Sequence, residues 1–304
     1  MPNKATARVP ASTTNLGPGF DVLGLALQLY STISLEEISS GIEIEVAGVD
    51  VNKLSNAEDN IAYRAAKLVF DRCGYKPKGL RLVLTNGIPA IRGLGGSGTA
   101  ILGGLLTANA LCDAPFSRSE LLDFATEFEG HPDNVAASLL GGLVISMMHG
   151  NHVHSIQLDC GSDLRVVVAI PDFSLSTKAA RGVLPQTVDF ADAIHNVSRC
   201  SMLVAAIATG KLEMLSLAMA DRLHQPYRTS LIPGFDDVAE AAMDAGALSV
   251  ALSGAGPSIA AYCTKSTQEV GAQMSEAFAR NQISCDIKVL SIDSAGATVD
   301  VSGI

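Results

Sequence analysis

The feature that most limits what this chain can become is a glycine-dense run, Gly93-Leu94-Gly95-Gly96-Ser97-Gly98, that passes straight into an Ala/Leu-rich stretch ending at Leu111. Glycines let a backbone take left-handed turns and approach a ligand closely. A helix that starts in such a turn aims free N–H groups, and the positive end of its dipole, at whatever lies before it. Phosphate suits that geometry best. The run also satisfies G-x-G-x-x-G, the dinucleotide fingerprint, which needs a tight strand–turn–helix and an acid about 20 residues on. Here Pro89 and other loop residues separate the glycines from the strand expected at 80–84, and no strand-end acid follows at that distance. The Walker pattern is absent as well, since GK[ST] does not occur. A phosphate loop of another type is the expected reading, with the Ser97 hydroxyl available to phosphate or Mg²⁺. The bland alternative is a turn that serves only close helix packing.

Charge and composition narrow the partners. The net charge is −10, from 31 acidic against 21 basic residues. That argues against a nucleic-acid surface, which needs a basic face, but not against a nucleotide held by backbone amides. With 48% hydrophobic and 17% charged residues over 304 positions, the chain can bury a large core and should not be disordered. Its apolar mass is Ala, Val, Leu and Ile without Trp, which suits helices packed on sheets. The six cysteines show no CxxC spacing and read as small buried hydrophobes in a reducing compartment. The opening MPNKATARVP has no apolar h-region, and no uncharged apolar run reaches the ~20 residues of a membrane helix. A soluble, cytoplasmic protein is expected, with no membrane partner.

Periodicity supplies a coarse element map. Strands are expected at 5–9, 32–38, 42–46 and 80–84, with a loop of small polar residues and Gly over 11–20. Ser55-Asn56-Ala57-Glu58 fits a capping box and predicts a helix through Cys73, closed by Gly74. Ser117-Arg118-Ser119-Glu120 is a second box, after which Leu121, Phe124, Ala125 and Phe128 share a helical face. Residues 129–134 interrupt, and a helix resumes over 135–140 until Gly141-Gly142. Strands at 143–148 and 153–158 should pair about His149-Gly150-Asn151-His152. A strand at 164–170, helical pattern over 188–219 broken at Thr209-Gly210, and a helix near 236–244 follow. A strand at 248–252, a helix at 268–280 and a strand at 285–290 complete the map. Loose alternation favours α/β or α+β over an all-helical fold.

Three segments, taken together, resemble the galactokinase, homoserine kinase, mevalonate kinase and phosphomevalonate kinase (GHMP) superfamily. Pro10-Ala11-Ser12-Thr13-Thr14-Asn15-Leu16-Gly17-Pro18-Gly19-Phe20-Asp21 is similar to its first motif. Pro89-Ala90-Ile91-Arg92-Gly93-Leu94-Gly95-Gly96-Ser97-Gly98 is similar to its P-x-x-x-G-L-G-S-S phosphate loop, and Ser253-Gly254-Ala255-Gly256-Pro257-Ser258 to its third motif. Glu129-Gly130-His131-Pro132-Asp133-Asn134, Thr177-Lys178-Ala179-Ala180-Arg181 and Asp221-Arg222-Leu223-His224-Gln225-Pro226-Tyr227-Arg228 resemble the homoserine kinase branch. In the second motif Ile91 stands where Gly is usual and Gly96 where the first serine is usual.

The resemblance implies an α+β, two-lobed GHMP-kinase-like fold of mixed sheets with packed helices. It implies a nucleotide-binding lobe over 1–155 and a lobe over 156–304 that completes the substrate site. It implies ATP and Mg²⁺ as cofactors and a small amino-acid alcohol, L-homoserine, as acceptor; a homodimer is common among such kinases. ATP contacts then fall to Asn60, Pro89, Arg92, Gly93, Leu94, Gly95, Gly96, Ser97, Gly98 and Thr99, and Mg²⁺ to the hard oxygens of Ser97 and Glu129. Arg181 and Arg228 are the expected carboxylate forks, Asp21 with Asn15 the ammonium site, and Thr177 a further acceptor contact. Asn134 and His131 are expected near the hydroxyl. Asn cannot take a proton, so in-line transfer without a side-chain base is expected, with Asp133 the obvious challenger. His149, His152 and His154 read as solvent-facing strand residues, not a metal site. Another carboxylate-bearing acceptor, or a catalytically inactive paralogue that binds nucleotide or metabolite, stays open at this point.

Overall fold

The structure is a computed structural model and describes residues 3–161 and 163–302. The first lobe begins with β1 (Lys4–Thr14), β2 (Leu23–Glu37) and β3 (Gly41–Gly48), followed by α1 (Ile61–Cys73) and β4 (Gly79–Asn86). Next come α2 (Gly96–Leu111), α3 (Arg118–Glu129), α4 (Asp133–Leu140) and the hairpin β5 (Leu143–His149) and β6 (His152–Leu158). The second lobe holds β7 (Arg165–Pro171), α5 (Thr177–Gly182), α6 (Phe190–Ala208), α7 (Leu215–Ala218), α8 (Gln225–Arg228) and α9 (Phe235–Asp244). It continues with β8 (Ser249–Leu252), β9 (Ile259–Cys263), α10 (Thr267–Arg280) and β10 (Cys285–Ser291), after which β11 (Thr298–Ser302) follows.

The first sheet runs β11-β1-β2-β4-β3, with β5 on β2 and β6 on β5; the second runs β10-β7-β9-β8. Among the described residues only β3 and β4 pair in parallel; the other ladders are antiparallel. Residue 155 falls within β6, whose pairing with β5 keeps it in the first sheet through Leu158. The last strand, β11, returns to β1.

Three local expectations change. β1 runs on through Ala11–Thr14, the segment read as loop, because the register shifts at Pro10/Ala11 and pairing resumes. Proline has no N–H for a ladder, so a slip there costs little. β2 starts at Leu23, well before the strand expected at 32–38. Its first residues pair with β5 and its last with β4, while β1 flanks it throughout. α1 opens at Ile61, not at Ser55: the Asn60 side chain accepts from the backbone N–H of Ala62 (2.9 Å) and Tyr63 (3.3 Å) and outcompetes the upstream box. The Ser55 hydroxyl is spent on the Asp59 carboxylate and the Ala57 N–H. Gly74, at φ 70°, closes α1 as expected, and the Ser117–Glu120 box at α3 is complete in both directions.

α2 is buried on nearly all sides, between the first sheet and α1. The close approach needs glycine: a Cβ on Gly104 would lie 2.0 Å from the Ala62 carbonyl oxygen. A second apolar cluster joins the lobes, with Leu25 and Leu143 of the first sheet packed among Val166 and Tyr262 of the second. The third lies between the second sheet, α9 and α10. All six cysteines are free; the thiols of Cys73 and Cys112 stand 3.0 Å apart where α1 and α2 end. Among the described residues no helix is long and apolar enough to cross a membrane.

Candidate active site

A cavity of about 430 Å³ opens where the lobes meet. The glycine loop forms one wall; Asp21 and His131 line the cavity from the β1–β2 and α3–α4 connections, Asp133 and Asn134 from the start of α4, and Arg181 and Arg228 come from the second lobe.

The loop wall is made of backbone. Gly93 (φ 76°) and Gly95 (φ 72°) are left-handed, and a Cβ on Gly95 would lie 2.2 Å from Ser12 Oγ. The first intrahelical bond of α2 runs from the Thr99 N–H to the Gly95 carbonyl, at 2.9 Å. The amides of Gly96, Ser97 and Gly98 precede it and face out of the helix start, as first-turn N–H groups must. The side chains do little here. Thr99 Oγ1 donates back to the Gly96 carbonyl at 2.8 Å, and neither Thr99 nor Gly98 lines the cavity. Ile91 sits at φ 59°, a conformation that a β-branched residue takes only under strain, which explains why glycine is usual there.

Other expected nucleotide contacts divide. Arg92 is buried and lines the cavity, but its Nη1 donates to Ser174 Oγ at 2.5 Å and Nη2 lies 3.8 Å from Asp172. It ties the loop to the connection before α5. Asn60 does not line the cavity; besides capping α1, it donates to the Ser55 carbonyl at 2.6 Å. Pro89 is also outside the lining, between Ile88 and Ala90, which are in it.

The opposite wall is made of charged side chains that hold one another. Arg181 meets the Asp21 carboxylate through two bonds, 3.0 and 2.7 Å long. Asn15 donates to the Gly254 carbonyl (2.9 Å) and accepts from the Asp21 N–H (3.0 Å), so its amide braces the Asp21 loop. Arg228 is 1% exposed; Nε donates to the Ala180 carbonyl at 3.2 Å and Nη1 to the Gly254 carbonyl at 3.3 Å. Burial, with Arg181 nearby, draws its pKa down to about 10, which still leaves it charged at neutral pH. Thr177, the first residue of α5, also lines the cavity.

Between the walls, Asn134 Oδ1 accepts from Ser12 Oγ at 2.9 Å. His131 Nδ1 lies 2.5 Å from Asp133 Oδ1, which also accepts the Asn134 N–H. Burial opposes a charge on His131, but the Asp133 carboxylate, with Asp21 and Glu129 beyond it, outweighs burial and raises the pKa. Asp21, His131 and Asp133 offer ligand atoms within 4.8 Å of one another. Their charges are already matched by the two ion pairs, so this grouping needs no cation. Glu129 differs. Burial raises its pKa against the opposing influence of His131 and the nearby Ser97 hydroxyl, and no Lys or Arg forms an ion pair with it among the described residues. A half-buried carboxylate with no Lys or Arg partner, beside a hydroxyl, is a donor set that suits a hard divalent cation.

Sequence reasoning left some lining residues unnamed. Gly254, Ala255 and Gly256 line the cavity, and the third motif could have placed them. Lys53 and Leu54 line it too, from a short turn after β3 that carries no sequence signal. His149, His152 and His154 are exposed on the β5–β6 hairpin, and His152 Nδ1 lies 2.8 Å from Asp123.

A fold of two such lobes, with a glycine loop at the start of a buried helix facing the cavity between them, defines a class. The family model described as GHMP kinases N terminal domain matches residues 60–142, and that described as GHMP kinases C terminal matches residues 203–280. The chain is 48% identical to homoserine kinase of Moorella thermoacetica, over 96% of this chain and 98% of that one. It is 42% identical to homoserine kinase of Caldicellulosiruptor saccharolyticus, over 97% and 96%. The crystal structure of homoserine kinase from Cytophaga hutchinsonii superposes with a TM-score of 0.90 at 30% identity, covering 99% of this chain and 98% of that one. The chain belongs to the homoserine kinase family of the GHMP kinases.

Proposed function

We propose that this chain transfers the γ-phosphoryl group of ATP to the hydroxyl of L-homoserine, giving O-phospho-L-homoserine and ADP for threonine synthesis. Family membership supports the activity. The observation that carries the acceptor's identity is the charge set in the cavity that the glycine loop also lines: a carboxylate, Asp21, bonded to one guanidinium group, Arg181, with a second, Arg228, lining the same cavity. A zwitterionic amino acid is the complement of that set. Its ammonium goes to Asp21, and its carboxylate to Arg181 and Arg228.

Each residue's part follows from its surroundings. The amides of Gly96 and Ser97, both of which line the cavity, hold the phosphates. Ser97 and Glu129 would hold Mg²⁺, which supplies positive charge to the phosphate oxygens. The Asn134 amide, fixed by Ser12, orients the acceptor hydroxyl. The Asp133 carboxylate is committed to His131, and His131 in its charged form adds a positive charge beside the reacting oxygen. Phosphoryl transfer passes through a loose transition state, so positioning and charge carry most of the acceleration. The acceptor proton leaves through phosphate or water. Six free cysteines suit a reducing compartment, and the cytoplasm is the proposed location.

A coupled ADP-release assay tests the reading. L-Homoserine should turn over, homoserinol (without the carboxylate) and 2,4-dihydroxybutyrate (without the ammonium) should lose most of kcat/KM, and turnover of all three at equal rates would refute the acceptor assignment. No turnover of any, with ATP still bound, would point to a sensor.

A further inference from the structure

Behind the acceptor wall sits a histidine that no part of the chemistry above uses. His224 immediately precedes α8 and is fully buried, at 0% exposure. Its Nε2 lies 2.7 Å from the Gly17 carbonyl oxygen. A carbonyl only accepts, so Nε2 carries the hydrogen and Nδ1 carries a lone pair. The donor facing that lone pair is Arg228 Nη1, at 3.3 Å. The partners alone fix the tautomer.

The ring is built into place. The Asp221 carboxylate accepts from the backbone N–H groups of Leu223 (3.0 Å), His224 (3.0 Å) and Gln225 (2.6 Å), and from the Asn196 amide (2.7 Å). The ring stacks on Phe20 at 5.0 Å between centroids, and the Arg228 guanidinium lies 4.9 Å from the same Phe20 ring. With Nε and Nη1 bonded to the protein, Nη2 is the edge of Arg228 left for a ligand in the cavity that Arg228 lines.

We infer that His224 is a positioning residue for the acceptor: neutral and protonated on Nε2, it accepts from Arg228 Nη1 and so aims the guanidinium that receives the acceptor's carboxylate. This rests on the proposed role of Arg228 and extends it. Protonation of Nδ1 would replace the accepted bond with two facing donors and set one cation against another. Around the ring, Asp221 (3.6 Å from Nε2) and, farther off, Asp21 favour the charged form, while burial and Arg228 oppose it. Burial is the largest influence, and the net pKa lies below the ordinary histidine value. Affinity for the acceptor should therefore hold at neutral pH and fall as acid protonates His224, while affinity for ATP does not follow.

Two carboxamides separate this role from a purely structural one. In His224→Asn the side-chain oxygen overlays Nδ1 and keeps the acceptor for Arg228. In His224→Gln the side-chain nitrogen overlays Nε2 and keeps only the Gly17 bond. Initial rates should show the acceptor KM raised about tenfold or more in H224Q but less than about threefold in H224N, with the KM for ATP within about twofold in both. The acid-side rise of the acceptor KM should vanish in H224N. Equal effects of the two variants on the acceptor KM, or parallel changes in the KM for ATP, would overturn the inference. If neither variant folds, calorimetric titration of the unaltered protein decides: homoserine binding must weaken at acid pH while ATP binding does not, and a flat homoserine curve refutes the role. Failure of the unaltered protein to phosphorylate homoserine at all would instead strike the proposed function.

Discussion

The two walls of the cavity are built from different material. The loop wall presents backbone amides, and its side chains are turned away: Thr99 bonds back into α2 and Arg92 braces the next connection. The acceptor wall presents side chains, and these are charged and mutually paired: Asp21 with Arg181, and His131 with Asp133. A backbone wall cannot be edited by deleting a side chain, only by adding one. A side-chain wall can be retuned one residue at a time. That difference suits the chemistry. Every nucleotide-dependent kinase must hold the same phosphates, whereas acceptors differ in charge and length.

The contrast can be tested residue by residue. The largest effect is expected from Gly95→Ala, because its Cβ would need the space of Ser12 Oγ, 2.2 Å away, at a backbone φ of 72°. Turnover should fall at least about a thousandfold, with weaker ATP binding by calorimetry. Arg228→Lys comes next. It keeps the charge and loses the fork, so the acceptor KM should rise about a hundredfold while the KM for ATP stays within about twofold. Comparable changes in both constants would erase the distinction between the walls.

Asp133→Asn should be milder. An orienting partner of His131 costs about tenfold in kcat, whereas loss of a general base costs about a hundred- to ten-thousandfold. Loss on that larger scale, with both ligands still bound, would make Asp133 the base. The same variant carries a pH signature. The folded pKa of His131 is raised, so its pairing contributes stability below the unfolded histidine pKa and loses it as pH rises through the folded one. The melting temperature should therefore drop more, relative to the unaltered protein, at pH 6 than at pH 9. The smallest effect belongs to Gly96→Ser: a Cβ there meets only Ile88 Cγ2, at 3.8 Å, and rates should change by less than about threefold.

The two walls also differ in how far the sequence alone reveals them. The loop and α2 were legible because their physics is local: consecutive glycines followed by helix formers. The Ser117–Glu120 box and the β5–β6 hairpin were legible for the same reason. On the acceptor wall the motifs picked out Asp21, Arg181 and Arg228, but not their partners. Asp21 and Arg181 are 160 residues apart in the chain, and no pattern announces that they bond. The short strands β9 and β11 escaped too, since pairing with β7, β8 and β1 makes them strands, not alternation within five residues. The false start of α1 came from two legitimate caps in competition, settled by which of them reached amides of a helix packed on α2. Nor does any local pattern announce that the last strand of the chain returns to the first sheet.

A crystal structure with a non-hydrolysable ATP analogue and L-homoserine bound together tests the central claim most directly. The phosphates should lie against the amides of Gly96 and Ser97, with the amino acid's carboxylate on Arg181 and Arg228, its ammonium on Asp21, and its hydroxyl towards the γ-phosphate beside Asn134. Phosphates held elsewhere, or an amino acid reversed so that its carboxylate avoids both arginines, would contradict the account.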